Sequence, residues 1–416
     1  MADVAIETNV LSYSDTSYIR GGPFWTSATV GYVIYEDSEY DIKYRKTSDG
    51  GATWGDAQNI RTGSVFTFDC WADWQTSGDT GTKIHIVYMD GDTDDVRYCY
   101  LNTSTDTVGG DDLIEHCPGD NGDILFSSSR CEQSISITKT RGGKIAVAYH
   151  YYDFLNAGYT KFLMSADGDT WIGKNYPYED VNYNDYLLLF PANLADADDL
   201  WALFWDTSAS EISLKTFDYS ADSWSEASIA SSMAYSSKYL QMDGAVRFSD
   251  GHLIVAAWSQ YDNAASDLKV WDITDASTIT AKTNIITDEA ESFLASVFIN
   301  QNTNDIYVTY VSGLAAQSSV QVFYQKSTDG GANWGGETAM QADAEDDERW
   351  VSAGAVKKEW GGKFQPFWFN DDLDDLFCNR SRAISIAAVG GGWSGEFCGV
   401  SVSEFDGVTP AEIDGV

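Results

Sequence analysis

Tyr40-Asp41-Ile42-Lys43-Tyr44-Arg45-Lys46-Thr47-Ser48-Asp49-Gly50-Gly51-Ala52-Thr53-Trp54 is a strand-like run that breaks into a tight turn and closes on a tryptophan. The Asp side chain can accept backbone N–H bonds inside such a turn. The glycines allow positive φ, and the Trp plugs the base of the hairpin. The chain repeats the phrase almost verbatim as Ser327-Thr328-Asp329-Gly330-Gly331-Ala332-Asn333-Trp334, again after a strand-like run, Val320-Gln321-Val322-Phe323-Tyr324. Ser165-Ala166-Asp167-Gly168-Asp169-Thr170-Trp171 is one residue short of it, and Asp218 to Trp224 and Gly390 to Trp393 keep only turn and Trp.

A second marker sets the period. Apolar strands ending in an aromatic residue recur at Tyr35, Tyr88, Tyr149, Trp205, Trp258, Tyr310 and Trp368, in steps of 53, 61, 56, 53, 52 and 58 residues. Seven copies at so even a step are an internal repeat. Each copy reads as an inner strand, the marked strand, a third strand, the Asp turn and a fourth strand. Such a sheet buries its faces only by stacking radially on its neighbours. The expectation is all-β: a seven-bladed β-propeller of four-stranded antiparallel blades, one domain over residues 1–416 with a polar tail at 406–416. Two segments compete for the outermost strand of the last blade, Val4 to Val10 and Phe397 to Val402.

The Asp phrases resemble Asp-boxes, the turn repeat of sialidases and related β-propellers. The resemblance implies that Asp49 and Asp329 are structural, because in that family the Asp-box faces away from the active site. It also raises an enzymatic reading. A sialidase needs three arginines on the sugar carboxylate, a Tyr nucleophile activated by Glu, and an Asp acid/base. The arginines that could match are Arg20, in Tyr18-Ile19-Arg20-Gly21-Gly22-Pro23 where the family has Arg-Ile-Pro, and Arg130 and Arg349. The last two each lie 19 residues before a marker aromatic. Sialidases have six blades, and an acidic rim repels sialic acid. Polysaccharide lyases on seven-bladed propellers use a His/Tyr constellation, for which His150, beside Tyr151 and Tyr152, is the histidine placed on the rim.

The 416 residues carry 64 acidic and 25 basic side chains, a formal net charge of −39. That charge excludes nucleic acid as a partner, since its phosphates would be repelled, and disfavours anionic membrane surfaces. The excess serves solubility, or alternatively a cation or a basic partner. Neither a basic, apolar leader at Met1 to Glu7 nor an apolar stretch long enough to span a membrane is present. The expected location is extracellular or on a virion surface, reached by cleavage or lysis, with the cytoplasm as the alternative. Six cysteines allow three pairs, Cys99 with Cys117, Cys378 with Cys398 and Cys70 with Cys131, or six free thiols.

Propeller function sits in loops, and the loops joining second to third strands share one rim. They read as carboxylates and aromatics, from Glu36-Asp37-Ser38-Glu39-Tyr40 in the first unit to Asn370-Asp371-Asp372-Leu373-Asp374-Asp375 in the last. Trp71, Asp73 and Trp74, together with His150, Tyr151, Tyr152 and Tyr186, are expected to join them as ligand-binding residues. Such a surface suits neutral sugars, which stack on aromatic rings while carboxylates accept hydroxyl protons. Asp90, Asp92 and Asp94, and Asp371 with Asp374, have the alternating oxygens of a Ca²⁺ site. The twelfth position of the first cluster is Leu101, so it is no EF-hand. No other cofactor is expected. The sequence points first to a glycan- or host-receptor-binding propeller, plausible in a larger virion assembly such as a fibre, spike or decoration protein. The alternative is a sialidase-like glycoside hydrolase.

Overall fold

The computed structural model describes residues 3–8, 10, 20–93, 95–116, 134–151, 158–181, 185–231, 233, 242–259, 266–289, 291–313, 321–342, 348–370, 373–388, 396–397 and 400–401. The repeat folds as a seven-bladed β-propeller. Blade 2 is the plainest case, with strands Val65–Ala72, Lys83–Asp90, Asp95–Asn102 and Thr107–His116 paired in chain order from the inside out. Blades 3, 4, 5 and 6 repeat that order, with inner strands Ile135–Lys139, Tyr186–Pro191, Met242–Val246 and Glu291–Asn300. All seven marker aromatics fall in second strands, each at most 2% exposed. Second strands such as Gly31–Glu36 and Leu253–Trp258 are buried at every residue. They are apolar on both faces because a neighbouring blade covers each face, so their sequences run hydrophobic without alternation.

Closure resolves the competition between the two terminal segments. Blade 7 is built from Glu348–Ser352, Phe367–Asn370 and Asp375–Cys378, and its outer strand is Val4–Glu7, with Ala5 opposite Phe377 and Glu7 opposite Leu376. Pro366 lacks the N–H a ladder requires and interrupts the marked segment of this blade, so Gly362–Phe364 pairs apart, with Ile384–Ile386. The C-terminal segment forms its own hairpin, Glu396–Phe397 against Val400–Ser401. Glu7 also accepts from the Tyr35 hydroxyl and from Arg45, whose Nη2 stands 2.9 Å from Glu7 Oε2, clamping the closing strand to blade 1.

Inner strands are joined by side chains of matched position. Asp69 Oδ2 accepts the Ile137 N–H (2.9 Å) and the Ser136 hydroxyl, and Ser136 Oγ accepts the Leu189 N–H (3.0 Å), running from blade 2 through 3 to 4. The same pair of bonds recurs between blades 5, 6 and 7. Asp243 Oδ2 accepts the Val297 N–H (3.0 Å) and the Ser296 hydroxyl (2.9 Å), and Ser296 Oγ accepts the Ala353 N–H (3.1 Å). Ser352 donates to the Gly22 carbonyl at 2.5 Å and carries the chain of bonds to blade 1.

The Asp turns hold as their chemistry dictates. Asp49 accepts from the backbone of Ala52 (2.9 Å) and Thr53 (3.0 Å) and from the Thr47 and Thr53 hydroxyls. Asp329 repeats the set with Ser327 and Asn333. Gly50 and Gly51 stand at φ 74° and 80°, where a side chain is strained. The Asp49 turn abuts Lys363 and Gln365, in the connection between first and second strands of blade 7. Partial desolvation works upward on the Asp49 carboxyl, but the Thr53, Thr47 and Ala52 bonds outweigh it and hold it at about 2. A depressed carboxyl stabilises above its ordinary pKa, so this contribution is lost as pH falls from about 4 toward 2. Asp49→Ala is expected to cost about 1–2 kcal/mol in urea denaturation through lost turn bonds, with ligand binding at the rim intact. A fully stable variant that has lost binding contradicts this.

Candidate functional site

Two regions concentrate polar and aromatic chemistry: the rim of loops joining second to third strands, and the central channel between the inner strands.

On the rim, the first blade presents the turn Asp37 to Asp41. Asp37 Oδ1 accepts the N–H groups of Glu39 and Asp41, both at 3.0 Å, and its other oxygen pairs with Lys43. These bonds hold Tyr40 at φ 63°, with the residue 42% exposed. Asp37, Glu39 and Asp41 bring carboxylate oxygens within 4.8 Å of one another. Leu373, 52% exposed, belongs to the corresponding turn of blade 7. Val10 ties the two turns together, bridging to Asp37 and donating its N–H to the Asp374 carbonyl at 2.6 Å. The exposed aromatic and the exposed leucine therefore flank the closure between blades 7 and 1.

Further round, the expected rim residues divide. Tyr186 opens the inner strand of blade 4 at its rim end and is buried, and Asp185 beside it accepts from the Thr207 N–H and hydroxyl. Tyr151 ends the second strand of blade 3, opposite Tyr159. Arg349 lies in the inner strand of blade 7. Arg130, Tyr152, Asp94 and Asp371 lie outside the described residues. Asp90 is 1% exposed and faces Arg61 at 2.7 Å, so an arginine occupies the position expected for a cation. Asp92 is exposed in the same turn.

Three expected rim residues are on the other face. The inner strand of blade 2 enters at the rim and leaves at the opposite end, where Trp71 stands near its last residue. Asp73 and Trp74 follow in a 3₁₀ turn, Asp73–Gln75, within the first connection. All three are buried. Asp73 accepts from His85 Nε2 (2.9 Å) and Lys139 (2.5 Å). Burial raises its pKa, but these two partners outweigh that and hold the carboxyl well below the usual range.

His150 is also corrected. It is a strand residue opposite Thr160, 4% exposed, beside Phe204, and its Nε2 has no partner among the described residues. Burial alone lowers it to about 3. The unfolded chain therefore binds a proton below pH 6.5 that the native protein refuses, and stability falls as pH drops from about 6.5 toward 3. The expected slope approaches about 1.4 kcal/mol per unit. His150→Phe should flatten that part of the stability-against-pH curve; an unchanged slope contradicts the assignment.

The central channel holds Arg20. Its guanidinium pairs with Asp69 (Nε to Oδ1 2.8 Å) and donates to Ser136 Oγ (2.8 Å), 5.6 Å from the ring centroids of both Trp71 and Phe190. Cys70, Cys99 and Cys378 are buried free thiols, and burial pushes Cys378 up to about 12. No described helix is long and apolar enough to cross a membrane.

No protein-family model matches the sequence, and no curated protein matches it. Among solved structures the chain is similar to an ulvan lyase of polysaccharide lyase family PL25 bound to -[GlcA(1-4)Rha3S]-. The identity is 9%, the TM-score 0.55, and the match covers 91% of this chain and 94% of that one. It also aligns with a Hadza microbial sialidase at 10% identity, TM-score 0.47, over 89% of this chain and 66% of that one. A lectin of Aleuria aurantia in complex with Fucα1-6GlcNAc aligns at 12% identity, TM-score 0.44, over 81% and 99%. At these identities the likeness is one of fold.

Proposed function

We propose that the protein is a glycan-binding propeller whose rim, at the closure between blades 7 and 1, stacks a neutral sugar on Tyr40. The observation that carries this is an exposed aromatic ring fixed by Asp37 in a left-handed turn beside three carboxylates. A ring held in place loses little entropy on stacking, and the exposed Glu39 carboxylate offers an acceptor to hydroxyl groups. The fold neighbour of TM-score 0.55 was solved with an acidic, sulfated glycan. A chain of net charge −39 repels such a ligand, which favours a neutral one here. Display on a virion or cell surface, facing a host glycan or receptor, is the setting in which such a rim operates.

A glycan array followed by calorimetry on the best binder tests the reading. Tyr40→Ala should weaken binding at least about tenfold, since stacking contributes roughly 1–3 kcal/mol. The wild-type affinity should change little between low and high salt. Steep weakening with salt, with Tyr40→Ala indifferent, would instead indicate a basic protein partner. Release of reducing ends or of unsaturated uronate products from the bound glycan would replace the binding module with a hydrolase or a lyase.

A further inference from the structure

Each blade ends in an outer strand whose far side pairs with no described strand. A bare edge of this kind invites a further strand, and folded proteins block it with bulges, short strands, prolines or charges. Six of the seven edges are blocked in such ways. Blades 3 and 5 split the outer strand in two, at Trp171–Gly173 with Glu179–Val181 and at Thr278–Ala281 with Ile286–Glu289. Blade 6 offers only two residues, Thr338–Ala339. Blades 1 and 7 offer four each, Gln58–Arg61 and Val4–Glu7, both with a register shift. The longer strand of blade 2, Thr107–His116, carries two register shifts, Gly110 at φ 74° and the carboxylates of Asp111 and Asp112.

Blade 4 is the exception. Its outer strand Ser223–Ser231 runs without a break from Ser223 opposite Asp218 to Ser228 opposite Ser213. The sequence Ser223-Trp224-Ser225-Glu226-Ala227-Ser228-Ile229-Ala230-Ser231 holds no proline, glycine or lysine and a single charge. That charge, on Glu226, is matched by Lys215 of the same blade at 2.9 Å. The strand is also held in place from blade 3. Trp224 donates its indole N–H to the Asn175 carbonyl (2.7 Å), and Asn175 Nδ2 donates to the Asp222 carbonyl (2.5 Å). An edge already fixed in extended form loses little entropy when another strand pairs with it.

Charge selects the occupant. With Glu226 matched, neither a basic nor an acidic segment finds a counter-charge along the edge, so the strand that fits is neutral and has small side chains. The edge is itself such a strand. We infer that the outer strand of blade 4 pairs antiparallel with the same strand of a second copy of this chain, about a two-fold axis at Ala227. The two four-stranded blades then form one continuous sheet. Pairing centred there sets Glu226 opposite Ser228 of the second copy, a carboxylate against a hydroxyl donor, and Trp224 opposite Ala230, and no like charges stand directly opposite. One strand pair covers far less than the roughly 1,600 Å² of a standard stable complex, and two chains of net charge −39 repel at long range. The dimer is therefore weak, and it tightens as salt screens the repulsion. The inference does not rest on the rim reading.

The test is sedimentation equilibrium of the full chain at up to about 0.2 mM, in about 0.05 M and about 1 M sodium chloride. Amide hydrogen exchange at low and high protein concentration accompanies it. Wild type should move from the mass of one chain toward that of two, with a dissociation constant at least about tenfold lower in the high salt. Amides within 223–231 should exchange more slowly as the dimer forms. Ser225→Asp and Ser228→Asp each place a carboxylate at an exposed edge position, and by symmetry the added charge acts twice in every dimer. Each should weaken association at least about fivefold, and either one decides the matter should the other fail to fold. Tyr40→Ala should dimerise as wild type does, which keeps this test separate from that of the rim. The inference is overturned if wild type keeps the mass of one chain at the highest concentration in high salt, or if association weakens as salt rises. It is equally overturned if residues 223–231 exchange no more slowly in the dimer, or if both variants dimerise as wild type.

Discussion

Deleting residues 3–10 should open the ring and abolish cooperative unfolding, or lower the denaturation midpoint more than any point substitution described above. The segment supplies the outer strand of blade 7 and buries Ile6 and Val10, each 2% exposed. It also carries the Glu7 clamp on Tyr35 and Arg45, and Asp3, which accepts from Asn379 at 2.5 Å and from the Ala342 N–H. Burial of the two aliphatic side chains alone is worth about 3–6 kcal/mol, comparable with the whole stability of many domains. Supplying residues 3–10 as a peptide should restore the lost signal in part. A truncated chain with an unchanged midpoint would mean that the C-terminal hairpin takes the empty slot.

Asp69→Ala is expected to cost about 3–5 kcal/mol, because it strands the Arg20 guanidinium in the channel without its counter-ion. It also removes two of the bonds that hold blade 3 to blade 2. Equilibrium urea unfolding of Asp69→Ala, of Arg20→Met, and of Arg20→Met with Asp69→Leu forms the test. The double variant should recover at least half of the loss, since an apolar pair pays no desolvation cost. Loss in the double variant equal to the sum of the two single losses would mean that the pair does not couple.

The fold was legible because its determinants are local and repeated. An aromatic ending each apolar strand, and an Asp-Gly turn before Trp54, Trp171 and Trp334, act through neighbouring residues, and seven copies of the aromatic marker made the period plain. Closure was legible only as a choice, since Val4–Glu7 and the segment around Phe397 are both short, apolar and unpartnered in sequence. The site was less legible because faces depend on strand direction. Trp71, Asp73 and Trp74 stand close in sequence to inner-strand residues, yet the strand carries them across the full depth of the disc. His150 follows an apolar run without any turn residue, and the strand simply continues through it. The bonds from Asp69 and Asp243 to the next blade could not be read at all. They link positions 67 and 53 residues apart, and a lone Asp inside an apolar strand carries no sign of its partner.

The closing strand also sets a schedule. Glu7 pairs opposite Leu376, so its place does not exist until the residues between them have been synthesised. At roughly 5–20 residues per second, that interval is on the order of tens of seconds. Throughout it the early blades can assemble while the first segment waits unpaired, and for a time the Asp375–Cys378 strand presents a bare edge able to recruit a foreign strand. A nascent chain of this architecture thus passes its most aggregation-prone moment when blade 7 has emerged and the strand Val4–Glu7 has still to find it.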